Sequence, residues 1–177
     1  MNLADDDFAL FGLPRRQLQD AALVDQRWRE LQAATHPDRF AADGATAQRI
    51  ALQWAARINQ ARQRLRDPLA RAAYLCELAG VAIDAHSNTA MPPDFLVQQM
   101  QWRESLEEAT GAAAMHELED EVTAVERSAL AELQSLLVED ADGMSLDKAA
   151  ARVRAMMFVR RFRDDIAHRL DALDPHR

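Results

Sequence analysis

Alanine and leucine dominate this chain, and that bias restricts it to helical folds. Its 177 residues include 35 Ala and 21 Leu, against 17 Val, Ile and Thr together and 11 Gly plus Pro. Ala and Leu lose little conformational freedom in a helix, whereas β-branched side chains lose rotamers there. The composition therefore predicts an all-α protein and argues against a β-sandwich or a doubly wound sheet.

Cysteine usage and hydropathy exclude several other classes of protein. Because Cys76 is the only cysteine, the chain forms no internal disulfide and no all-cysteine metal cage. No apolar run approaches the roughly 20 residues that span a bilayer. The acidic residues 1–7 lack the apolar core of a signal peptide. We therefore expect a cytoplasmic protein that makes no membrane contact.

The net charge of −8 is distributed unevenly along the chain. Residues 1–80 carry 11 Lys and Arg against 10 Asp and Glu, whereas residues 81–177 carry 10 against 19. The second part is therefore strongly acidic, and this acidity argues against nucleic-acid binding.

Helix caps and breakers divide the first part of the chain. Gly12 ends a short first helix, and Asp20 and Asp67 are placed to cap the helices that follow them. Pro37 cannot continue a helix, so residues 35–44 are predicted to form a loop. The predicted helices cover residues 8–13, 21–34, 45–66 and 68–79.

The second part predicts a three-helix bundle. Polar and proline residues favour a linker over 81–92, and the pair Asp142-Gly143 indicates a turn, with Ser145 as the helix cap after it. Short connections between long amphipathic helices make neighbouring helices antiparallel. The predicted helices cover residues 93–110, 112–139 and 146–173, and the predicted domains are 1–80 and 93–177.

Apolar positions at helical spacing define the expected core, and a run of carboxylates defines an expected solvated face. The carboxylates at 117, 119, 120 and 121 surround one helix and are interpreted as solvent-exposed. The expected buried positions are Leu23, Trp28, Leu31, Ala34, Ile50, Trp54, Ile58, Ala61, Leu65, Phe95, Trp102, Leu106, Ala109, Met115, Leu118, Val122, Val125, Ala129, Leu133, Leu136, Val159, Phe162, Ile166, Leu170 and Leu173.

A His-Pro-Asp tripeptide at residues 36–38 lies in the predicted loop. Alone it is a weak signal, since a polar loop with a helix-stopping proline is common. Its surroundings make it specific, and together they resemble the J-domain of the DnaJ family. The matching segments are Phe8–Pro14, the helix with Arg27 and Arg29, the loop followed by Arg39, Ile58–Ala61, Leu65–Pro68, Arg71 and Tyr74.

This resemblance implies a co-chaperone that stimulates ATP hydrolysis by a DnaK-type heat-shock ATPase. Guanidinium groups on a helix can dock on an acidic surface, and long-range charge accelerates the encounter. The carboxylate of Asp38 could meet a cation of the partner. The chaperone-binding residues are therefore expected to be His36, Pro37, Asp38, Arg27, Arg29 and Arg39.

The second part narrows the family, because it has neither a Gly/Phe-rich stretch nor Cys-x-x-Cys repeats. Residues 5–173 as a whole resemble the short J-proteins of iron–sulfur cluster assembly, the HscB type. That resemblance implies two partners, an HscA-type ATPase and an IscU-type scaffold. The first bundle helix has a second apolar side that leads into polar residues. The scaffold-binding residues implied are Leu96, Val97, Met100, Gln101, Glu104, Glu108 and Phe158, where Gln101 occupies a position that is often acidic in the family.

Alternatives remain open at this stage. Leu96, Val97 and Met100 could instead pack against another bundle helix, and the chain could be a general J-protein for unfolded clients. An enzyme that uses His36 and Asp38 as acid and base lacks any nucleophile or cofactor motif. The other four histidines have no metal-ligand spacing with Cys76, so we expect no catalysis, no cofactor and no metal.

Overall fold

A computed structural model describes residues 2, 4–83 and 91–173 of the chain, and for residues 41–43 it describes only the backbone. These residues form helices and no strand, which confirms the all-α prediction. Residues 84–90 of the predicted linker lie outside the described part. The helices are α1 (Asp7–Phe11), α2 (Ala21–Thr35), a 3-10 helix (Pro37–Asp43), α3 (Ala45–Arg66), α4 (Pro68–Leu78), α5 (Pro93–Glu108), α6 (Ala112–Leu136) and α7 (Gly143–Leu173).

The chain divides into two compact units. The first comprises residues 1–75 with 138–140, and the second comprises residues 76–137 with 141–177. The division between the two units falls within α4.

The two longest helices of the first unit, α2 and α3, form an antiparallel pair. Near the start of α2, Asp25 pairs with Arg62 and Arg66, and one to two turns later Trp28 and Gln32 donate hydrogen bonds to Asn59. This order of contacts requires the two helices to run in opposite directions. The expected caps are present, since Asp20 accepts from the Ala22 amide and Asp67 accepts from the amides of residues 69 and 70.

A buried carboxylate holds α1 against α3. Asp7 is fully buried, with Arg57 at 2.5 Å and Arg64 at 2.7 Å from its two oxygens. Its backbone amide donates to the Tyr74 hydroxyl at 3.0 Å, and the Tyr74 ring stacks on that of Phe8. An ionised group in the interior requires such partners, because desolvation alone would make it strongly unfavourable.

Some expected core positions of the first unit are wrong. Ala34 is exposed and Ile50 is 45% exposed, whereas Val24, which was not expected in the core, is fully buried. Residues 37–43 form the 3-10 helix rather than an irregular loop. Ile50 faces an apolar pocket that it shares with Phe40 of that short helix, so it lacks the cover that a full neighbouring helix would give.

The second unit is a three-helix bundle, as the sequence predicts. The carboxylate of Glu126 pairs with Arg163 while that of Glu132 pairs with Arg152, so α6 and α7 are antiparallel. On α5 and α7, Phe95 contacts Phe158 and Trp102 contacts Phe162, so these two helices are parallel. Fully buried residues on all three helices form the core, including Trp102, Val122, Leu133, Val153, Met156 and Ile166.

The beginning and end of α7 differ from the prediction. The helix begins at Gly143, because Asp142 rather than Ser145 is its cap: the Asp142 carboxylate accepts from the Ser145 amide at 2.7 Å. That backbone hydrogen bond lowers the pKa of the Asp142 carboxyl. At the far end Leu173 is 50% exposed and does not belong to the core.

Two further properties concern the described residues only. Among them no helix has the length and hydropathy needed to cross a bilayer. Nor does that part of the chain bring together three His, Cys, Asp or Glu side chains in a group able to hold a metal ion.

Candidate functional site

The His-Pro-Asp segment occupies the turn between α2 and the 3-10 helix. His36 has extended backbone angles, as expected for a residue that precedes proline, and it ends α2. Its Nδ1 accepts a hydrogen bond from the Asp38 amide at 3.3 Å and lies 3.6 Å from the Asp38 carboxylate. The side chain of Asp38 is 91% exposed and that of His36 is 55% exposed. The turn is locally ordered, yet it presents both polar groups to solvent.

The three arginines expected around this turn have different surroundings. Arg39 donates to the Ala33 carbonyl at 2.9 Å and so ties the turn to the end of α2. Arg27 pairs with Glu30 at 2.9 Å. Hydrogen bonds from Gln26 and Arg27 lower the pKa of the Glu30 carboxyl, which stays ionised and offsets the Arg27 charge. Arg29 is exposed and forms no ion pair among the described residues.

A basic cluster on α3, which was not predicted from the sequence, adjoins this part of α2. Arg62 and Arg66 both pair with Asp25 at 2.9 Å, so two guanidinium groups share one carboxylate. The Arg62 guanidinium also lies 4.4 Å from the centre of the Trp28 ring. Asp25, Arg29 and the His-Pro-Asp turn follow one another at helical spacing along one side of α2. The antiparallel packing of α3 places additional positive charge beside that side.

A second exposed feature is the outer surface of α5. Leu96 is 47% exposed, Val97 57% and Met100 73%, whereas the core-facing Phe95 and Trp102 are buried. Most of the surface of Val97 and Met100 and about half of that of Leu96 is therefore open to solvent, which argues against the alternative that these residues form a core contact with another bundle helix. Adjacent exposed apolar side chains of this size are a feature of docking surfaces.

Helical spacing separates the outer surface of α5 into two stripes. The first contains Val97, Gln101, Glu104 and Glu108, all of them exposed. The second contains Leu96, Met100, Arg103 and Glu107, likewise exposed and spaced at i, i+4, i+7 and i+11. The site predicted from the sequence extends into the polar residues of the first stripe only. Arg103 and Glu107 of the second stripe are further candidate residues that this prediction did not include.

Phe158 joins α7 to the edge of this surface. It is half-buried, its ring lies 5.9 Å from that of Phe95 and 6.1 Å from that of Phe162, and Arg103 lies 5.5 Å from its centre. Phe158 thus has one side in the core and one side next to the exposed stripe.

The opposite flank of α5 is fixed by Glu121, which is exposed as predicted and also bonds to α5. Its carboxylate accepts from the Trp102 indole at 2.8 Å and from Gln98 at 3.1 Å. Trp102 itself is buried and stacks on Phe162. These contacts fix the rotation of α5, and with it which residues face outward.

The family model, the similar sequences and the similar solved structures all carry the name HscB. Residues 91–167 match the family described as the HSCB C-terminal oligomerisation domain. A protein named Co-chaperone protein HscB homolog from Bordetella petrii is 47% identical over 93% of this chain and 95% of its own length. A protein of the same name from Burkholderia thailandensis is 45% identical over 98% of this chain and 99% of its own length.

Two solved structures are similar along nearly the whole chain. Chaperone HscB from Vibrio cholerae is 35% identical, with a TM-score of 0.79 over 96% of this chain and 99% of that one. Human co-chaperone protein HscB is 26% identical, with a TM-score of 0.86 over 96% of this chain and 84% of that one.

Proposed function

This chain belongs to the HscB family of co-chaperones, and from that premise we propose that it serves iron–sulfur cluster assembly by linking two partners. One is a heat-shock ATPase of the HscA or DnaK type, whose ATP hydrolysis the chain stimulates. The other is a scaffold of the IscU type, which the chain delivers to that ATPase. The iron–sulfur cluster is cargo of the scaffold, and we assign the chain no catalytic step and no cofactor of its own.

The proposed ATPase contact is the His-Pro-Asp turn with the adjoining side of α2. Exposure of Asp38 and His36 supports this assignment, since a carboxylate that is 91% exposed can reach an arginine or lysine of the partner without local unfolding. Arg29, which forms no ion pair with any residue that the structure describes, supplies a cation on the same side, and Arg39 fixes the turn to the helix. Pro37 limits the conformations of the turn.

The proposed scaffold contact is the outer surface of α5 with Phe158 of α7. Exposure of Leu96, Val97 and Met100 is the observation that carries this proposal, because a bundle that needed only its own core would expose fewer apolar side chains here. Glu104 and Glu108 lie beside them and favour a partner with Lys or Arg at the matching edge.

We assign residues 1–80 to the J-domain, 81–92 to the linker and 93–177 to the bundle. The proposed ATPase contact then belongs to the J-domain and the proposed scaffold contact to the bundle. Joining two weak contacts in one polypeptide makes the second binding event intramolecular. The scaffold then reaches the ATPase at a raised effective concentration, and no new chemistry is required.

ATPase stimulation by the purified chain tests the proposal. We expect His36→Gln to reduce stimulation of an HscA-type ATPase to near its basal rate without changing the melting temperature. The matched control is His116→Gln, since His116 is a similarly exposed histidine on α6. Full stimulation by His36→Gln would overturn the proposed contact.

The same assay addresses the alternative of a general J-protein for unfolded clients. The proposal expects the folded scaffold to enhance stimulation and unrelated extended apolar peptides to leave it unchanged. If such peptides enhance stimulation as well as the scaffold does, the general role is correct.

A further inference from the structure

A groove between α5 and α7 adjoins the proposed scaffold surface. Its volume is about 300 Å³, and Leu106, Phe158 and Phe162 form its apolar part. Its polar part contains three arginines and two carboxylates, from Arg103, Arg161, Arg169, Glu107 and Asp165.

The groove is continuous with the exposed apolar stripe. Leu96 and Met100 are followed on the same side of α5 by Arg103 and Glu107, which line the groove. Phe158 belongs both to the proposed scaffold contact and to the groove. A partner that covers Leu96 and Met100 therefore extends over the groove with little additional surface.

The arginines of the groove are not neutralised by ion pairs. Arg169 donates to the Leu106 carbonyl at 2.6 Å, and Arg103 stacks over the Phe158 ring. Arg161 is exposed. Among the described residues none of the three forms an ion pair, even though Glu107 and Asp165 line the same groove. Three cations and two anions leave a local excess of positive charge in the acidic part of the chain.

We infer that this groove receives a carboxylate side chain of the scaffold partner, next to the apolar side chains that cover Leu96 and Met100. The inference rests on the proposed function and adds the chemistry of the partner's surface. Guanidinium groups bind carboxylates in a fixed, often bidentate geometry, which gives orientation as well as affinity. The partner surface is then apolar at its centre, basic opposite Glu104 and Glu108, and acidic opposite the groove.

This arrangement determines the orientation of docking. A partner rotated by half a turn would place its carboxylate against Glu104 and its cation against Arg161, and like charges that face each other are costly. A surface with only apolar and acidic residues would not distinguish between these two orientations of the partner. The positive groove therefore selects one orientation.

Charge reversal at Arg161 tests the inference. Arg161→Glu should raise the dissociation constant of the full-length chain for an IscU-type scaffold by about tenfold or more, because like charges then face each other. Arg127→Glu makes the same charge change at an exposed position of α6 and should leave the constant within about twofold. Both variants should melt as the unmodified chain does. Arg161→Lys keeps the charge but loses the bidentate geometry, so its affinity should lie between those of the unmodified chain and Arg161→Glu.

The outcomes separate this inference from the proposed function. If the unmodified chain binds no scaffold, the proposed function itself fails. If it binds, and Arg161→Glu binds equally well, the groove takes no carboxylate and only this inference is overturned. Equal losses in Arg161→Glu and Arg127→Glu would indicate general charge attraction and would also overturn it. So would a change of sedimentation in Arg161→Glu alone, which would identify a second copy of the chain as the occupant.

Discussion

Removing the exposed apolar side chains of α5 should separate scaffold binding from stability. The perturbation is the double variant Leu96→Ala and Met100→Ala. Leu96 is 47% exposed and Met100 is 73% exposed, so about half of the Leu96 side chain and about a quarter of the Met100 side chain are buried and stabilise the fold. With about 2 kcal/mol for complete burial of each, the loss of stability is at most about 1.5 kcal/mol. The better helix propensity of alanine offsets part of it.

The effect on binding should be larger than the effect on folding. Truncating an apolar anchor at the centre of an interface costs more than about 1 kcal/mol of binding free energy. A loss of about 2–3 kcal/mol for the two anchors together raises the dissociation constant roughly 30- to 150-fold. Isothermal titration of the chain with an IscU-type scaffold measures this change. Thermal unfolding followed by circular dichroism measures the stability of the same samples.

A matched control is available at the other end of the bundle. Met144 is 69% exposed, close to the value for Met100, but it lies at the start of α7 away from the stripe. Met144→Ala should change neither binding nor melting. Binding by the double variant within threefold of the unmodified chain, with an unchanged melting curve, would refute the assignment of this surface. A large loss of stability would refute the reasoning from exposure.

Three further predictions concern the rest of the molecule. Arg29→Ala should weaken ATPase binding more than Arg27→Ala, because Glu30 already offsets the charge of Arg27. Binding titrations of both variants at low and high salt measure this, and the difference in affinity between the two variants should shrink as salt rises. Asp7→Ala should lower the free energy of unfolding by about 3 kcal/mol, since it leaves Arg57 and Arg64 without their buried partner, and urea unfolding measures it. Burial raises the pKa of the Cys76 thiol to about 11, so a disulfide reagent at pH 8 should react with the unfolded chain and hardly with the native one.

Local signals in the sequence predicted much of the fold. The limits of α3 coincide with the predicted span 45–66, because Gly44 and Asp67 flank an uninterrupted helical pattern. Asp20 and Asp67 act as caps as expected, through hydrogen bonds that depend on only a few neighbouring residues. Helix limits and caps that depend on a few neighbouring residues can therefore be predicted from the sequence.

Competing local signals produced the errors in element limits. Two residues able to cap a helix, Asp142 and Ser145, stand three positions apart, and the structure uses the first of them. The sequence pattern alone does not rank two such caps. Ile50 follows the apolar stripe of α3 but faces a pocket, because how well a position is covered depends on the neighbouring element.

The candidate site could be predicted from the sequence only in part. The second apolar side of α5 was visible as an excess over what one core face requires, and Leu96, Val97 and Met100 are exposed. The proximity of Arg62 and Arg161 to these surfaces could not be predicted from the sequence, because each arginine lies on a different helix from the surface that it adjoins. Tertiary packing, and not spacing along one helix, brings such groups beside the predicted surfaces.

The central claim is that one chain must carry both contacts, and complementation between two defective variants tests it most directly. Asp38→Asn lacks the proposed ATPase contact, and the double variant Leu96→Ala and Met100→Ala lacks the proposed scaffold contact. The measurement is the ATP hydrolysis rate of an HscA-type ATPase with scaffold and an equimolar mixture of the two variants. The account predicts that the mixture gives no scaffold-enhanced stimulation, whereas the unmodified chain does. Recovery of the full enhancement by the mixture would contradict it.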